Sequence, residues 1–394
     1  MKKLLIILVL LALGGSDALA QKKEVVRRRF FTLGQDRTEI ITPKVKGFNC
    51  YKADLHVHTI YSDGDVTPRE RIREAWYDGL DIIAITDHLG ARRYEKYMLK
   101  ALRKYNPDEQ PYPYSHAGKC GRVMVDFNAV FEEADKEAAK YPDLLYIHGT
   151  EISRTQSTGS DYNALFVKDI EAVFDKDPYQ CIRNARAQGA LITHNHPVIK
   201  RDKCVMTEFE ATAMAQGLFD GIEIVNGNTF YPPIMRRAVD NNLYMVGATD
   251  THHPVSAVFK SLGIFRTMTL ILAKENTEKA IKDALLKRRT LVYCGGNIMG
   301  EEQWLRPFFD ASVTCRLQYE DKKAGARTFV ITNNTSFPFI LRKGQIVREL
   351  KGMESIRVTV KRSKSGEWQD PRYRIDNLWL PDDKRPTWTL KVSK

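Results

Sequence analysis

Residues 52–88 read KADLHVHTIYSDGDVTPRERIREAWYDGLDIIAITDH, and this stretch decides the fold. Lys52-Ala53-Asp54-Leu55-His56 has the texture of a strand. Thr67-Pro68-Arg69-Glu70 then offers an N-cap, a proline at the first helical position and a capping-box glutamate. Gly79 supplies the helix stop, and Asp81-Ile82-Ile83-Ala84-Ile85-Thr86 is the next strand. A strand, a helix and a second strand in this order make a βα unit of the kind that builds parallel sheets.

Outward from this unit, further strands are expected at 144–150, 163–167, 190–193, 221–225 and 244–249, most of them preceded by a helix. Seven or so βα units predict a closed, TIM-like barrel over 51–300. The stretch 92–125, rich in Tyr, Pro, Lys and Arg, is too long for an ordinary loop and reads as an insertion over one mouth of the barrel. Beyond about Gly300 the texture changes to short alternating runs at 327–332, 355–360 and 387–392, with turns at Asn333-Asn334 and Lys364-Ser365-Gly366. A small, all-β, sandwich-like domain is therefore expected over 301–394.

Composition bounds the rest. With 43% hydrophobic and 28% charged residues in a chain of 394, there is material for a sizeable core, which excludes wholesale disorder. No fixed-period repeat is present, which removes collagen-like and solenoid readings. Lys2 and Lys3 precede an apolar run from Leu4 to Leu13, followed by Ala18-Leu19-Ala20. That pattern predicts a signal peptide over 1–20 cleaved near Ala20, a polar leader over 21–50, and a periplasmic or secreted protein. No later apolar run is long enough for a transmembrane helix. The cysteines form no CxxC pair, which argues against a thiolate zinc site; one or two disulfides and buried free thiols stay open as alternatives. Net charge is +12, and 301–394 holds 19 Lys+Arg against 12 Asp+Glu, a surplus of +7 that favours anionic partners. No nucleic-acid-binding motif is recognised.

The chemistry lies in where metal-competent side chains fall. His56 and His58 end the first strand, Asp87 and His88 the second, and Glu151 the third. His194 and His196 follow the 190–193 strand, and Asp250 with His252 follows the 244–249 strand. In a βα barrel such strand ends converge on one rim, so residues scattered along the chain meet at one site. One HxH pair is a weak signal, and His116, His148 and His253 are read as structural. Five strand ends that each deliver His or a carboxylate are better explained by a metal cluster. Imidazoles with carboxylates and no thiolate favour Zn, Mn or Fe, and the surplus of ligands points to two or three ions.

These residues resemble the PHP (polymerase and histidinol phosphatase) metallophosphoesterases, whose fold is a distorted seven-stranded βα barrel. The resemblance covers roughly 51–300 and rests on Asp54-Leu55-His56-Val57-His58-Thr59, Tyr61-Ser62-Asp63-Gly64, Ile85-Thr86-Asp87-His88, Gly149-Thr150-Glu151-Ile152, His196-Pro197 and Thr249-Asp250-Thr251-His252. The tail Asn333-Asn334-Thr335-Ser336-Phe337-Pro338-Phe339 is similar to that of a secreted, Bacteroidetes-type branch with an added C-terminal β domain. The resemblance implies that His56, His58, Glu151 and Asp250 hold one ion, Asp63, His88 and His252 another, and Glu151, His196 and Asp161 a third. Asp161 stands where relatives carry a His, exchanging nitrogen for a harder, anionic oxygen.

The expected activity is hydrolysis of a phosphate mono- or diester of a small metabolite or nucleotide by water activated between divalent ions. Asp250, His252 and His194 are the catalytic candidates, and Arg154, Lys200 and Arg201 the candidate phosphate contacts. Two other readings compete. A metallo-amidohydrolase shares the barrel and the HxH, but Asp87-His88 and the Asp250-x-His252 pair favour the phosphoesterase. The other is a catalytically weak, metal-containing binding protein whose basic β domain docks an anionic polymer.

Overall fold

In the computed structural model, residues 36–89, 112–113, 123–124, 126–153, 159–199, 201, 203–259 and 263–393 are described. The expected signal peptide, most of the 92–125 insertion, Arg154 and Lys200 lie outside the described residues. The chain divides into two units, Met1–Thr38 and Glu39–Lys394, and every element below belongs to the second.

The first βα unit forms as the sequence implies. Strand β1 (Asn49–Val57) leads to the helix Pro68–Tyr77, where the Thr67 hydroxyl accepts the Glu70 N–H and proline occupies the first turn. Glu70 does not close a capping box; its carboxylate pairs with Arg73 instead, at 3.0 Å. Strand β2 (Ile82–Ile85) follows. The remaining insertion residues form a short pair, β3 (Tyr112–Pro113) with β4 (Val123–Met124). Then come β5 (Leu145–Ile152), β6 (Tyr162–Leu165), β7 (Leu191–His194), β8 (Gly221–Asn226), β9 (Thr229–Phe230) and β10 (Tyr244–Ala248). Strands β11 (Met268–Ala273), β12 (Thr290–Cys294) and β13 (Asn297–Met299) complete the region up to Gly300.

The sheet runs β10-β8-β7-β6-β5-β2-β1-β11-β12-β13 and curls into a half-barrel. It is not uniformly parallel. Strand β6 lies antiparallel to both β5 and β7, and β11 is antiparallel to β1. The reversal of β6 has a consequence for the site, because the N-terminal end of β6, not its C-terminal end, reaches the rim where its neighbours finish. Asp161, just before β6, arrives at that rim for this reason. Lower in the interior, Gly221 leaves room for the ring of Tyr244: a Cβ there would lie 2.0 Å from the ring. The Tyr244 hydroxyl is held by Thr193 Oγ1 at 2.8 Å.

The sheet closes at the rim, where the chain leaving β10 meets the end of β1. Asp250 N–H donates to His56 O at 2.9 Å, and His58 N–H donates to Thr251 O at 3.1 Å. Buried Arg71 braces the same junction, donating from Nε to His58 O (2.7 Å), from Nη2 to Thr251 O (3.0 Å) and from Nη1 to His253 O (2.8 Å).

After the helix Glu302–Ser312, the C-terminal region is all β: β14 (Val313–Asp321), β15 (Ala326–Asn333), β16 (Phe339–Lys343), β17 (Ile346–Leu350), β18 (Ser355–Lys361), β19 (Arg372–Ile375), β20 (Leu378–Trp379), β21 (Thr387–Thr389) and β22 (Val392–Ser393). Two four-stranded sheets form, β18-β15-β14-β22 and β17-β16-β19-β21. Strand β20 leaves them to pair with β13, which joins this region to the half-barrel. Alternation sorts the side chains: Phe329, Ile331, Val358, Leu341, Ile375 and Trp388 are buried in the common core while their neighbours face out. Cys50, Cys181, Cys204, Cys294 and Cys315 are free thiols. Among the described residues no helix is long and apolar enough to cross a membrane.

Candidate metal centre

His56, on β1, and His58, just past its end, point into the half-barrel. The β1–β2 ladder slips between Asp54 and Val57, at the level where the ligands begin. His56 Nε2 and His58 Nε2 come within 3.1 Å of each other. Around that point sit Asp250 Oδ1, 3.3 Å from His56 and 3.0 Å from His58, and the two Glu151 oxygens, each 3.4 Å from one imidazole. His88 Nδ1 approaches Glu151 Oε2 at 2.8 Å, and His252 Nε2 approaches Asp63 Oδ1 at 3.1 Å. On the opposite side, His196 Nε2 lies 3.4 Å from Glu151 and 3.6 Å from Asp161.

These side chains fall into three groups able to hold an ion: His58, Asp63, His88 and His252; His56, His58 and Asp250; and His56, Glu151 and His196. Every metal residue expected from the sequence is therefore in one cluster, with Asp161 beside the third group. The division differs in detail from the one implied by resemblance, since His58 and His56 each serve two groups.

The donor set fits divalent cations. The two imidazole nitrogens, 3.1 Å apart, and the carboxylate oxygens of Asp250 and Glu151, 3.0–3.4 Å from them, converge on one point as the donors of a cation do. Glu151 Oε2 and His196 Nδ1 are buried without a hydrogen bond of normal geometry. Burial disfavours charge on His56, yet Asp250, Glu151 and Glu223 outweigh it and raise its pKa well above the ordinary histidine value. His88 is likewise pushed up to about 9, burial being overcome by Glu151 and Asp63. Burial would raise Glu151, but His88 and His56 hold it well below the usual carboxylate range. His58 goes the other way, lowered by burial and by His88. Without metal, the cluster keeps its carboxylates ionised by holding protons on the imidazoles, and cations would replace those protons.

Several orienting residues were not anticipated. Glu223 Oε1 pairs with His56 Nδ1 at 2.7 Å, which fixes the tautomer that leaves Nε2 free to ligate. Its other oxygen accepts the His196 N–H (2.7 Å) and Asn226 Nδ2 (3.0 Å). Asn195 Nδ2 donates to Glu151 Oε1 at 2.7 Å, and Asn226 Nδ2 to Asp250 Oδ2 at 3.2 Å. Asp87 stands outside the three groups; it accepts Thr59 N–H at 2.7 Å and the Thr59 and Ser62 hydroxyls, shaping the loop that carries Asp63. A Cβ on Gly64 would lie 2.7 Å from the His58 carbonyl, so glycine lets this loop fold back and return Asp63 to the cluster.

Two sequence expectations meet a different geometry. His194 points to the helix side of β7, stacked on Tyr162 with ring centroids 5.0 Å apart and with Nε2 3.2 Å from Glu210. Strand alternation separates it from Asn195, which faces the cluster. Arg201 is bound by both Glu210 oxygens and by the Pro197 and Val205 carbonyls, so its guanidinium is committed to this support. Burial favours protonating Glu210, but His194 and Arg201 hold its pKa down at about 2. Asp250 and His252 do lie in the cluster, and with Asp63 they are its most open members, at 15%, 30% and 30% side-chain exposure.

Residues 54–188 match the PHP domain family, and the chain carries a PHP domain. A two-domain protein from Bacteroides vulgatus ATCC 8482, described as containing a predicted PHP-like metal-dependent phosphoesterase, is similar over 91% of this chain and 99% of its own. It aligns at 29% identity with a TM-score of 0.78. More distant are an amidohydrolase from Chromobacterium violaceum (14% identity, TM-score 0.35, 52% of this chain and 89% of that one) and a lesion-specific endonuclease from Pyrococcus furiosus (14% identity, TM-score 0.38, 64% and 59%). No curated protein matches the chain.

Two outcomes follow from this geometry. Glu223→Gln keeps the shape but removes the charge behind His56, and it should weaken metal binding by about 10–100-fold with the fold intact by circular dichroism; unchanged affinity would show that Glu223 does not tune the centre. Because cations displace imidazole protons, apparent metal affinity should fall as pH drops below about 9, the value for His88. The slope should be about tenfold per pH unit for each proton displaced. Calorimetric titration with Mn in buffers of different ionisation enthalpy reads this directly, and a flat profile would contradict it.

Proposed function

We propose that this chain is an exported hydrolase that cleaves a phosphate mono- or diester of a small metabolite or nucleotide, using two or three divalent ions (Mn, Zn or Fe). The observation that carries the proposal is the surplus of ligands around one bridging-capable carboxylate: three adjacent groups of imidazoles and carboxylates form, and Glu151 is approached by four imidazoles. A single ion needs fewer ligands, and adjacent ions suit the charge of a phosphoryl group.

Within this proposal His56, His58, Glu151 and Asp250 hold one ion, Asp63, His88 and His252 a second, and Glu151, Asp161 and His196 a third. Bound ions would neutralise phosphoryl oxygens and lower the pKa of nearby water. The chain's own part is to keep the carboxylates ionised and the imidazoles aimed, and to admit substrate at the open side. Substrate enters beside Asp63, His252 and Asp250, where exposure is greatest. Asp250 stands there to take up a proton and pass it to the leaving oxygen, while the His252 ring, steadied by Nδ1 donating to Asp250 O at 2.9 Å, presents Nε2 to the second ion. Arg154 and Lys200 are proposed to meet the free phosphate oxygens, whereas His194 and Arg201 support the wall behind the site through Glu210. Residues 51–300 form the catalytic half, 301–394 the β domain, and residues 1–20 direct export.

The test is metal content of the chain lacking residues 1–20, together with turnover of generic phosphate mono- and diesters under Mn, Zn and Fe. Wild type should hold two or three ions and hydrolyse esters, and His56→Ala/His58→Ala should lose both. Turnover retained in that variant would refute the site. Full metal loading without turnover under any metal would move the weight to a binding protein.

A further inference from the structure

The sheet β17-β16-β19-β21 carries a basic face that the metal centre does not use. Buried Tyr373, Ile375 and Trp388 anchor one side of β19 and β21, so alternation sends Arg372, Arg374, Thr387 and Thr389 outward. With Arg342 and Lys343 of β16 they line a cavity of about 750 Å³. Arg342 and Arg374 are direct cross-strand partners. Like charges in that position are destabilising. Asp376 relieves the pair only in part: it takes Nε of Arg342 and, at 2.7 Å, Nε of Arg374, which orients both guanidiniums and leaves their Nη groups unused among the described residues. Arg372 is exposed and has no ion pair among the described residues. Asp370 is the one carboxylate in the lining, against four cations.

We propose that this face binds a sulfate- or phosphate-bearing polysaccharide, its oxyanion groups received by the Arg342–Arg374 pair and Arg372 and its hydroxyls by Thr387 and Thr389. Guanidinium forks suit tetrahedral oxyanions. The lining contains no aromatic side chain, whereas single-stranded nucleic acid is held by stacking bases on aromatic rings. Its lining has no apolar side chain either, and the exposed Val347 and Ile346 of neighbouring β17, beside Arg342 and Lys343, are a hairpin end and not the broad apolar face that enters a lipid interface. What the cavity offers is fixed positive charge and hydroxyls, which is what a charged glycan needs. The site is independent of the metal centre, so its failure would leave the phosphoesterase reading untouched.

The test is binding of a heparin oligosaccharide to the full mature chain by fluorescence anisotropy. Wild type should bind it, with affinity falling as salt rises. Arg372→Glu/Arg374→Glu should lose about tenfold or more. Lys322→Glu/Lys323→Glu, an equal change in net charge at the exposed β14–β15 turn, should keep wild-type affinity. Since Arg374 also serves Asp376, the single Arg372→Ala, at an exposed side chain with no ion pair among the described residues, should weaken binding on its own with the melting temperature unchanged. The proposal is overturned by no heparin binding, by equal losses in the two double variants, or by tighter binding of a single-stranded oligonucleotide or of phosphatidylglycerol vesicles.

Discussion

Two backbone hydrogen bonds, Asp250 N–H to His56 O and His58 N–H to Thr251 O, close the sheet on itself where the candidate ligands gather. They tie the end of β1 to the segment leaving β10, residues almost two hundred positions apart, and they do so through the ligand residues themselves. Arg71 crosses the same seam and is fully buried, its three carbonyl partners replacing the water it gave up. A second tie lies one layer deeper, where Asp54 accepts Thr249 N–H at 3.1 Å and its hydroxyl at 2.6 Å and pairs with buried Arg266. The fold and the site are therefore one construction: the contacts that close the half-barrel also hold His56, His58 and Asp250 in register.

That construction leaves backbone strain at the ligands. Asp250 and His196 both have positive φ, 50° and 24°, a region costly for residues other than glycine. Each is paired to a carboxamide or carboxylate that over-determines its position: Asn226 for the Asp250 side chain, Glu223 for the His196 N–H. Glu223 has a central part in this arrangement, since it also sets His56. Residues that touch no substrate thus decide where the lone pairs point, which is the requirement for a metal centre that must bind without rearranging.

Much of this was readable from residue types at strand ends. The His56/His58 pair, Glu151 and the Asp250/His252 pair each follow an apolar run, and the barrel rule that strand ends share a rim is enough to bring them together. Asp161 needed more. It precedes its strand, so only resemblance pointed to it, and the physical reason it reaches the rim is the antiparallel course of β6. His194 was misleading because HxH reads alike wherever it occurs: on β1 both histidines share the inner face, whereas beyond β7 the left-handed turn at His196 brings in that residue and leaves His194 outside. Glu223 had a signal that could have been used, a lone carboxylate between Ile222 and Ile224 in an otherwise apolar strand. Asn195 and Asn226 had none, because amides at strand ends serve many purposes. In the C-terminal region the alternating runs were legible, but the pairing of β20 with β13 joins segments that nothing in the local pattern connects.

The central claim is that one buried cluster, organised around Glu151, holds more than one divalent cation. Anomalous diffraction from crystals of the mature protein grown with Mn tests it most directly. The account predicts two or three anomalous peaks at the rim, Glu151 reaching at least two of them, with neighbouring peaks about 3.5–4 Å apart. A single peak remote from Glu151, or none at full Mn occupancy of the solvent, would contradict it.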